Sequence, residues 1–226
     1  MDIQLYYKEH GQGFPLILLH GNGEDHTYFS AQIAFFSNHF RVIAIDTRGH
    51  GQSPRGSRPF TISQFADDLY GFFQQKQLQK AHILGFSDGG NVALTFALRH
   101  PDCVERLILN GANLYPSGVK WTVQAPIVLG YGLASLFSNE KARQHAELLA
   151  LMVKEPHLSP SALQTLSMPT LVIAGTQDMI RSSHTRLIAR SLPNSQLTIL
   201  SGNHFIAHEH PEAFNRAVES FLCGEV

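Results

Sequence analysis

Short runs of apolar residues alternate along this chain with longer segments in which apolar residues recur every three or four positions. Most of the short runs are continuously apolar, which is typical of strands in a parallel sheet that is covered on both faces. The longer segments have the spacing of amphipathic helices. The predicted strands are Ile3–Tyr7, Leu16–Leu19, Val42–Ile45, His82–Leu84, Arg106–Leu109, Thr170–Ala174 and Gln196–Leu200.

Two helix starts are marked in the sequence. Thr61 and Gln64 have the spacing of a capping box, and Phe60 and Phe65 bracket it like a hydrophobic staple. Pro211 occupies the first turn of the last predicted helix. The inward-facing positions of that helix are Phe214, Val218, Phe221 and Leu222. Strands and helices in alternation predict an α/β fold, a doubly wound and mostly parallel sheet with right-handed crossovers.

The segment 114–167 interrupts this alternation, because it has no strand pattern. Helical patterns lie near Val123–Phe137, Glu140–Lys154 and Pro160–Leu166 instead. We interpret 114–167 as a small helical cap inserted before the penultimate strand, with residues 1–113 and 168–226 forming the core. The alternative, ordinary crossover helices, would need an unusually long connection.

Composition excludes several function classes. Only 15% of the 226 residues are charged and the formal net charge is -1, which predicts binding neither to nucleic acid nor to an anionic membrane. The chain begins without a secretory signal, and no apolar run approaches the roughly 18 residues of a membrane helix. Cys103 and Cys223 fit neither a disulfide framework nor a zinc site. These features favour a cytoplasmic protein.

The 13 histidines raise the question of a metal site. They are scattered, and the one dense group, His204, His208 and His210, lacks a motif such as HExxH. The sequence therefore predicts no metal and no cofactor.

Four segments that carry reactive or ligand-binding groups follow predicted strands. They are His20–Gly23, Ser87, Asp178 and His204. Ligands bind outside the carboxyl ends of parallel strands, so topology alone brings these segments to one edge of the sheet. A glycine-rich turn, a hydroxyl, a carboxylate and an imidazole are thus expected to meet there.

Ser87 lies at a sharp turn from strand to helix, between Gly85 and Gly89. Such a turn holds the serine oxygen at the positive N-terminus of the helix. A hydroxyl is a weak nucleophile, so it needs a base, and the base needs an orienting carboxylate. The simpler alternative is that Ser87 is a helix N-cap.

Gly85-Phe86-Ser87-Asp88-Gly89 fits Gly-x-Ser-x-Gly, and the order Ser, Asp, His follows along the chain. In both features, and in the turn Asp46–Ser53, the sequence resembles the α/β-hydrolase family over about residues 2–222. The resemblance implies a Ser-His-Asp hydrolase that acts through an acyl-enzyme.

This resemblance assigns Ser87 as nucleophile, His204 as base and Asp178 as the acid that orients the base. His208 is a rival for the base, and Asp178 is also a plausible turn residue. At the other position where some relatives have the acid, this chain has Asn110.

Two backbone N–H groups, of Asn22 and Asp88, are expected to form the oxyanion hole. Asp46, Arg48 and Ser53 are interpreted as structural residues that fix a neighbouring loop.

The Asp88 side chain is a candidate substrate contact. Ser87-Asp88-Gly89-Gly90 resembles valacyclovir hydrolase, an amino-acid ester hydrolase of this family, which suggests that the carboxylate binds a substrate ammonium. Alternatively, an acid in the first helical turn is favoured by the helix dipole alone. Further candidates for apolar walls, or for simple packing, are the cap residues Trp121, Tyr131, Phe137, Leu149 and Met152.

The sequence therefore predicts a serine hydrolase for a small molecule, most simply a carboxylic ester of a small, largely apolar substrate. The same triad also serves carbon–carbon bond hydrolases, perhydrolases and lyases. A different class also remains open, a small-molecule receptor of the same fold with slow turnover.

Overall fold

The computed structural model describes residues 2–224, and one seven-stranded sheet runs through them. The strands are β1 (Tyr7–His10), β2 (Pro15–Leu19), β3 (Arg41–Ile45), β4 (Ala81–Phe86), β5 (Val104–Asn110), β6 (Thr170–Gly175) and β7 (Ser195–Leu200). Their order across the sheet is β1-β3-β2-β4-β5-β6-β7. The pairing is parallel from β3 to β7, and β1 pairs with β3 in the antiparallel sense.

Helices connect these strands and cover both faces of the sheet. They are α1 (Ser30–Phe36), α2 (Ile62–Gln75), α3 (Asp88–Arg99), α4 (Trp121–Ala134), α5 (Glu140–Lys154), α6 (Ser182–Ser191), α7 (Ile206–Glu209) and α8 (Pro211–Cys223). Short 3-10 turns lie at His26–Phe29, Pro101–Cys103, Pro116–Gly118 and Ala162–Thr165. The predicted α/β architecture is confirmed.

One predicted strand is displaced in the structure. Ile3–Tyr7 was expected to be a strand, but β1 begins only at Tyr7, which pairs with Ile45 at the end of β3. Ile3 and Leu5 are buried without a ladder partner, beyond the end of β3. Both side chains belong to the larger core cluster, so their apolar character reflects burial and not strand pairing. The other predicted strands agree with the observed ones to within two residues at each end.

The continuous apolar runs have a simple explanation, since both faces of the sheet are buried. Ile17 and Leu19 of β2 pack in the larger core cluster, with residues of α2, α3 and α6. Leu16 and Leu18 alternate with them and pack in the second cluster, with α1 and α8. Neither face of β2 needs polar residues.

The predicted helix start at Thr61 is present. The Thr61 side chain accepts a hydrogen bond from the Gln64 backbone N–H, and the Phe60 and Phe65 rings meet edge to face, 4.9 Å apart. The Gln64 side chain does not return to Thr61, because it donates to Asp68 instead. The cap and the staple thus form, whereas the reciprocal half of the capping box does not.

The turn Asp46–Ser53 is held by its own side chains. Asp46 accepts hydrogen bonds from the backbone N–H groups of His26 and Gln52, and Ser53 Oγ donates to the Asp46 carbonyl. Arg48 is fully buried, but it is paired with Asp68 and also bonds Asp2. A buried guanidinium is tolerated only when it is paired in this way. The contacts fix the loop.

Helices α4 and α5 lie between β5 and β6 and pack against each other. Polar contacts join α5 and the residue after it to the core. They are Asn22 Nδ2 to the Leu148 carbonyl (2.8 Å), Arg55 to Glu147 (2.7 Å) and the Ile62 N–H to Glu155 (2.7 Å). The division into core and cap at 114–167 stays a prediction. Within residues 2–224, no helix has the length and apolar character that crossing a bilayer requires.

Candidate active site

Ser87 sits at the corner between β4 and α3 in a backbone conformation that few residues other than glycine adopt, with φ of 52°. Its N–H donates to the Asn110 carbonyl at 2.8 Å, which fixes the turn to the neighbouring strand. A Cβ at Gly85 would collide with the Gly89 carbonyl, and one at Gly89 with the Leu19 carbonyl. The two glycines therefore allow strand and helix to meet closely enough to form the corner.

The structure brings Ser87, His204 and Asp178 into one hydrogen-bonded chain, which we call the candidate triad. His204 Nε2 lies 3.0 Å from Ser87 Oγ, and His204 Nδ1 lies 2.7 Å from Asp178 Oδ1. The same Asp178 oxygen accepts the Ile180 N–H at 2.8 Å. His204 and Asp178 are 4% and 3% exposed, so the imidazole orientation is set by protein contacts rather than by water.

The His204 ring is enclosed by two residues that the sequence analysis did not single out. The Phe86 ring lies 4.8 Å from it, centroid to centroid. Gly111 follows β5 with φ of 63°, and a Cβ there would lie 2.6 Å from His204 Cε1. A glycine directly after a strand at the ligand-binding edge was the signal that could have identified Gly111.

The two expected oxyanion donors are both available for hydrogen bonding. Asp88 is the first residue of α3, where a backbone N–H has no partner inside the helix. Asn22 lies in the turn after β2, and within residues 2–224 its N–H has no acceptor either. Their role as an oxyanion hole stays a prediction.

A comparison with protein families decides what kind of chain carries this geometry. The family model described as the alpha/beta hydrolase fold matches residues 15–147, more than half of the chain. The chain belongs to the α/β-hydrolase family. The family accounts for the sheet order, the elbow at Ser87 and the order of the residues in the candidate triad.

Relatives of this α/β hydrolase carry different hydrolase names. A protein of Caulobacter sp. (strain K31) assigned as carbamate hydrolase RutD is 32% identical, with 98% of this chain and 96% of the relative covered. The 3-oxoadipate enol-lactonase 2 of Acinetobacter baylyi is 28% identical, with 98% and 94% covered. The comparisons thus support a hydrolase, while the names differ in the bond that is cleaved.

A solved structure agrees over the whole length. The enol-lactonase from Burkholderia xenovorans LB400 superposes with a TM-score of 0.83 and covers 98% of this α/β hydrolase and 97% of its own chain. At 24% identity this likeness shows the fold alone.

Glu24 is a further residue of the site that the sequence analysis missed. Its carboxylate accepts the Gly21 N–H at 3.0 Å, in the turn that also contains Asn22. Burial raises the pKa of Glu24 to about 7, against the hydrogen bond from Gly21 and the charge of His204. Glu24 also lines a cavity of about 480 Å³ with Asp25, Thr27, Tyr28, Phe205, His208 and Glu209. A charged residue in a glycine-rich turn after a strand was the available signal.

Asp88 lies beside the nucleophile with its carboxylate only partly satisfied. It is 8% exposed, its Oδ1 accepts from Asn91 Nδ2 at 3.2 Å, and within residues 2–224 its Oδ2 has no hydrogen-bond partner. Burial raises the pKa of Asp88 to about 6, with the hydrogen bond from Asn91 and the nearby Asn22 amide opposing the shift and the nearby Glu155 charge adding to it. Burying an ionised carboxylate costs free energy unless a cation pairs with it.

Replacing Asp88 with asparagine should therefore stabilise the fold. The pKa of Asp88 is raised from 3.8 to about 6, so the folded state holds its proton more tightly than the unfolded state between these values. Wild-type stability is then lost as pH rises through this window. We expect Asp88→Asn to gain roughly 1–3 kcal/mol over wild type above pH 6, and no difference near pH 4, in urea unfolding at several pH values. A variant less stable by up to about 1 kcal/mol at every pH would instead indicate the helix-dipole role alone.

The predicted apolar contacts of the substrate fall on α4, α5 and the turn between them. Trp121 and Phe137 are 71% and 62% exposed. Tyr131 lies beneath the Lys154 ammonium, and the Met152 carbonyl accepts from Gln124. Within the described residues, no hydrogen bond or aromatic-ring contact joins any of them to the candidate triad. That they wall the substrate site stays a prediction.

The other histidines near His204 point elsewhere. The His208 ring packs edge to face on Tyr28 at 6.0 Å, and His210 lies against Gly202.

Asp25, His26 and Asp46 bring possible ligand atoms within 4.8 Å of one another. These atoms already bond protein groups: Asp46 Oδ1 accepts from His26, and Asp25 Oδ1 accepts from Thr27. These hydrogen bonds to protein groups explain why the three side chains lie together.

Proposed function

We propose that this α/β hydrolase is a serine hydrolase that cleaves a carboxylic ester, open-chain or cyclic, of a small molecule through an acyl-enzyme. The observation that carries the proposal is the candidate triad, with 3.0 Å between Ser87 and His204 and 2.7 Å between His204 and Asp178. Both distances are within hydrogen-bond reach before a substrate is bound. The two free cysteines suit a reducing compartment, and we place the enzyme in the cytoplasm.

In this mechanism Ser87 Oγ attacks the ester carbonyl while His204 Nε2 takes its proton. The carbonyl oxygen becomes an oxyanion, which the N–H groups of Asn22 and Asp88 stabilise. His204 then protonates the leaving alkoxide, and water hydrolyses the acyl-enzyme by the same route. Asp178 holds the imidazole in the tautomer that has a proton on Nδ1.

Asp88 supports a finer proposal, that the preferred esters carry an amine next to the carbonyl. Asp88 directly follows the nucleophile in the chain, and a substrate ammonium that reached its unpartnered oxygen would satisfy it. Glu24, in the turn that also contains Asn22, is a second acidic side chain near the candidate triad. A positive substrate suits these surroundings better than an anionic one.

The experiment that tests the reaction class is labelling with a fluorophosphonate, followed by turnover of p-nitrophenyl esters and lactones. We expect rapid labelling of the wild type, none of Ser87→Ala, and turnover of short-chain esters. Labelling that persists in Ser87→Ala would refute the assignment of the nucleophile. Labelling without ester or lactone turnover would refute the ester proposal and favour a carbon–carbon bond hydrolase or a receptor with slow turnover.

A further inference from the structure

Helix α4 presents an apolar surface that no other part of residues 2–224 covers. From Trp121 to Phe137 the sequence contains no charged side chain, and no residue of α4 is buried. We call the outward side of this segment the α4 face. Its large apolar side chains are between 45% and 78% exposed: Trp121, Val128, Leu129, Leu133, Leu136 and Phe137. Monomeric proteins seldom expose so many in one contiguous patch.

The α4 face has the spacing of a helix–helix seam. All of its exposed positions except Phe137 fall in two adjacent rows in which steps of four and three residues alternate. One row is 122, 126, 129, 133 and 136, and the other is 121, 125, 128, 132 and 135. Steps of this kind keep a row facing a second helix over its whole length. Ala125 and Gly132 lie beside Leu129 and Leu133, so small and large residues alternate on the face as knobs and holes do.

We propose that the α4 face binds the α4 face of a second copy of this chain, related by a two-fold axis. In such a dimer the same surface must be complementary to itself. The α4 face meets this condition, because it has no charge to repel its copy and has both large side chains and small gaps to receive them.

The area is sufficient for a stable pair. With about 150–250 Å² for each fully exposed large side chain, the six exposed apolar side chains present roughly 700 Å² to solvent at their observed exposures. A standard protein–protein interface buries about 800 Å² on each partner. The α4 face alone comes close to this value, and the polar residues at its edge would add to it.

A membrane surface fits the same face less well. Helices that lie in a membrane interface usually carry Lys or Arg along their polar side. Helix α4 has neither, and its other side packs against α5. The experiment below therefore also distinguishes binding of the α4 face to a lipid surface.

The test is sedimentation equilibrium of the full chain between about 1 and 100 µM. We expect a species of twice the 25.1 kDa chain mass. Leu129→Glu combined with Leu133→Glu places four carboxylates in the apolar seam, and we expect it to weaken dimerisation by at least about 100-fold. Phe14→Glu is the matched control, since Phe14 is also an exposed apolar residue (42%) but lies outside α4. It should leave the mass unchanged.

Gly132→Gln gives an independent second variant. A Cβ at Gly132 meets nothing within 4 Å, so the monomer has room for the side chain, and glutamine favours helix more than glycine does. At a concentration where both proteins are monomeric we expect an unchanged or higher melting temperature. At 100 µM we expect loss of the dimer, because the added side chain fills a gap needed by the partner. A monomeric wild type at 100 µM, or a dimer that persists in both variants, would overturn the proposal. Flotation of a monomeric wild type with phosphatidylglycerol vesicles, lost in the double variant, would overturn it in favour of a membrane.

Discussion

The single variants Ser87→Ala and His204→Ala should each have a kcat on a p-nitrophenyl ester that is roughly four to six orders of magnitude below that of the wild type. In the proposed mechanism the hydroxyl and the imidazole act in one proton transfer across a single 3.0 Å contact, so removing either one would disable the other. For the same reason the double variant should be little worse than either single variant. Steady-state rates for the three proteins, each with its circular dichroism spectrum, give the comparison.

His208→Ala is the matched control for the base. His208 lies four positions from His204 but packs against Tyr28, and the histidine that contacts Ser87 is His204. We expect nearly wild-type rates for His208→Ala. Should His208→Ala be inactive while His204→Ala still turns over, the base has been assigned to the wrong histidine.

Asp88→Asn should abolish a preference for esters of amino acids. A shielded pair between carboxylate and ammonium contributes about 2–5 kcal/mol, which corresponds to roughly 30- to 4,000-fold in kcat/KM. The measurement is the ratio of kcat/KM for the p-nitrophenyl esters of alanine and of propanoate, in wild type and variant. We expect this ratio to fall by roughly 30- to 4,000-fold from wild type to Asp88→Asn.

The design of this comparison isolates the side chain. The substitution keeps the Asp88 backbone N–H, so the proposed oxyanion donor is present in both proteins. Both esters use the same candidate triad, so their ratio cancels any change in the base. Equal ratios in the two proteins would refute the ammonium contact, whatever their absolute rates.

The candidate triad was predictable because chain topology assembles it. Ser87, Asp178 and His204 each lie within four residues of the end of a strand, and a parallel sheet brings such positions to one edge whatever the details of packing. The sharp turn at Ser87 was equally predictable, since Gly85 and Gly89 are required by close backbone contacts rather than by a distant partner.

The rest of the site depends on contacts across the chain that no local pattern records. Gly111 lies against His204 because β5 lies between β4, which precedes Ser87, and β7, which precedes His204. Glu24 is half-buried, and this burial raises its pKa. The early strand was misplaced for a related reason, since Ile3 and Leu5 are buried without a pairing partner. Sequence pattern reports burial more directly than it reports the neighbour that causes it.

The contact between Asn22 and α5 has an evolutionary consequence. On the side of α5 the acceptor is the Leu148 carbonyl, a backbone atom that any residue supplies. Residues of α4 and α5 can therefore change while the turn that holds Asn22 keeps this contact. If these helices wall the substrate site as predicted, substrate preference would change with them. Descendants of one ancestral fold could in this way diverge in the bond they cleave without rebuilding the machinery that cleaves it.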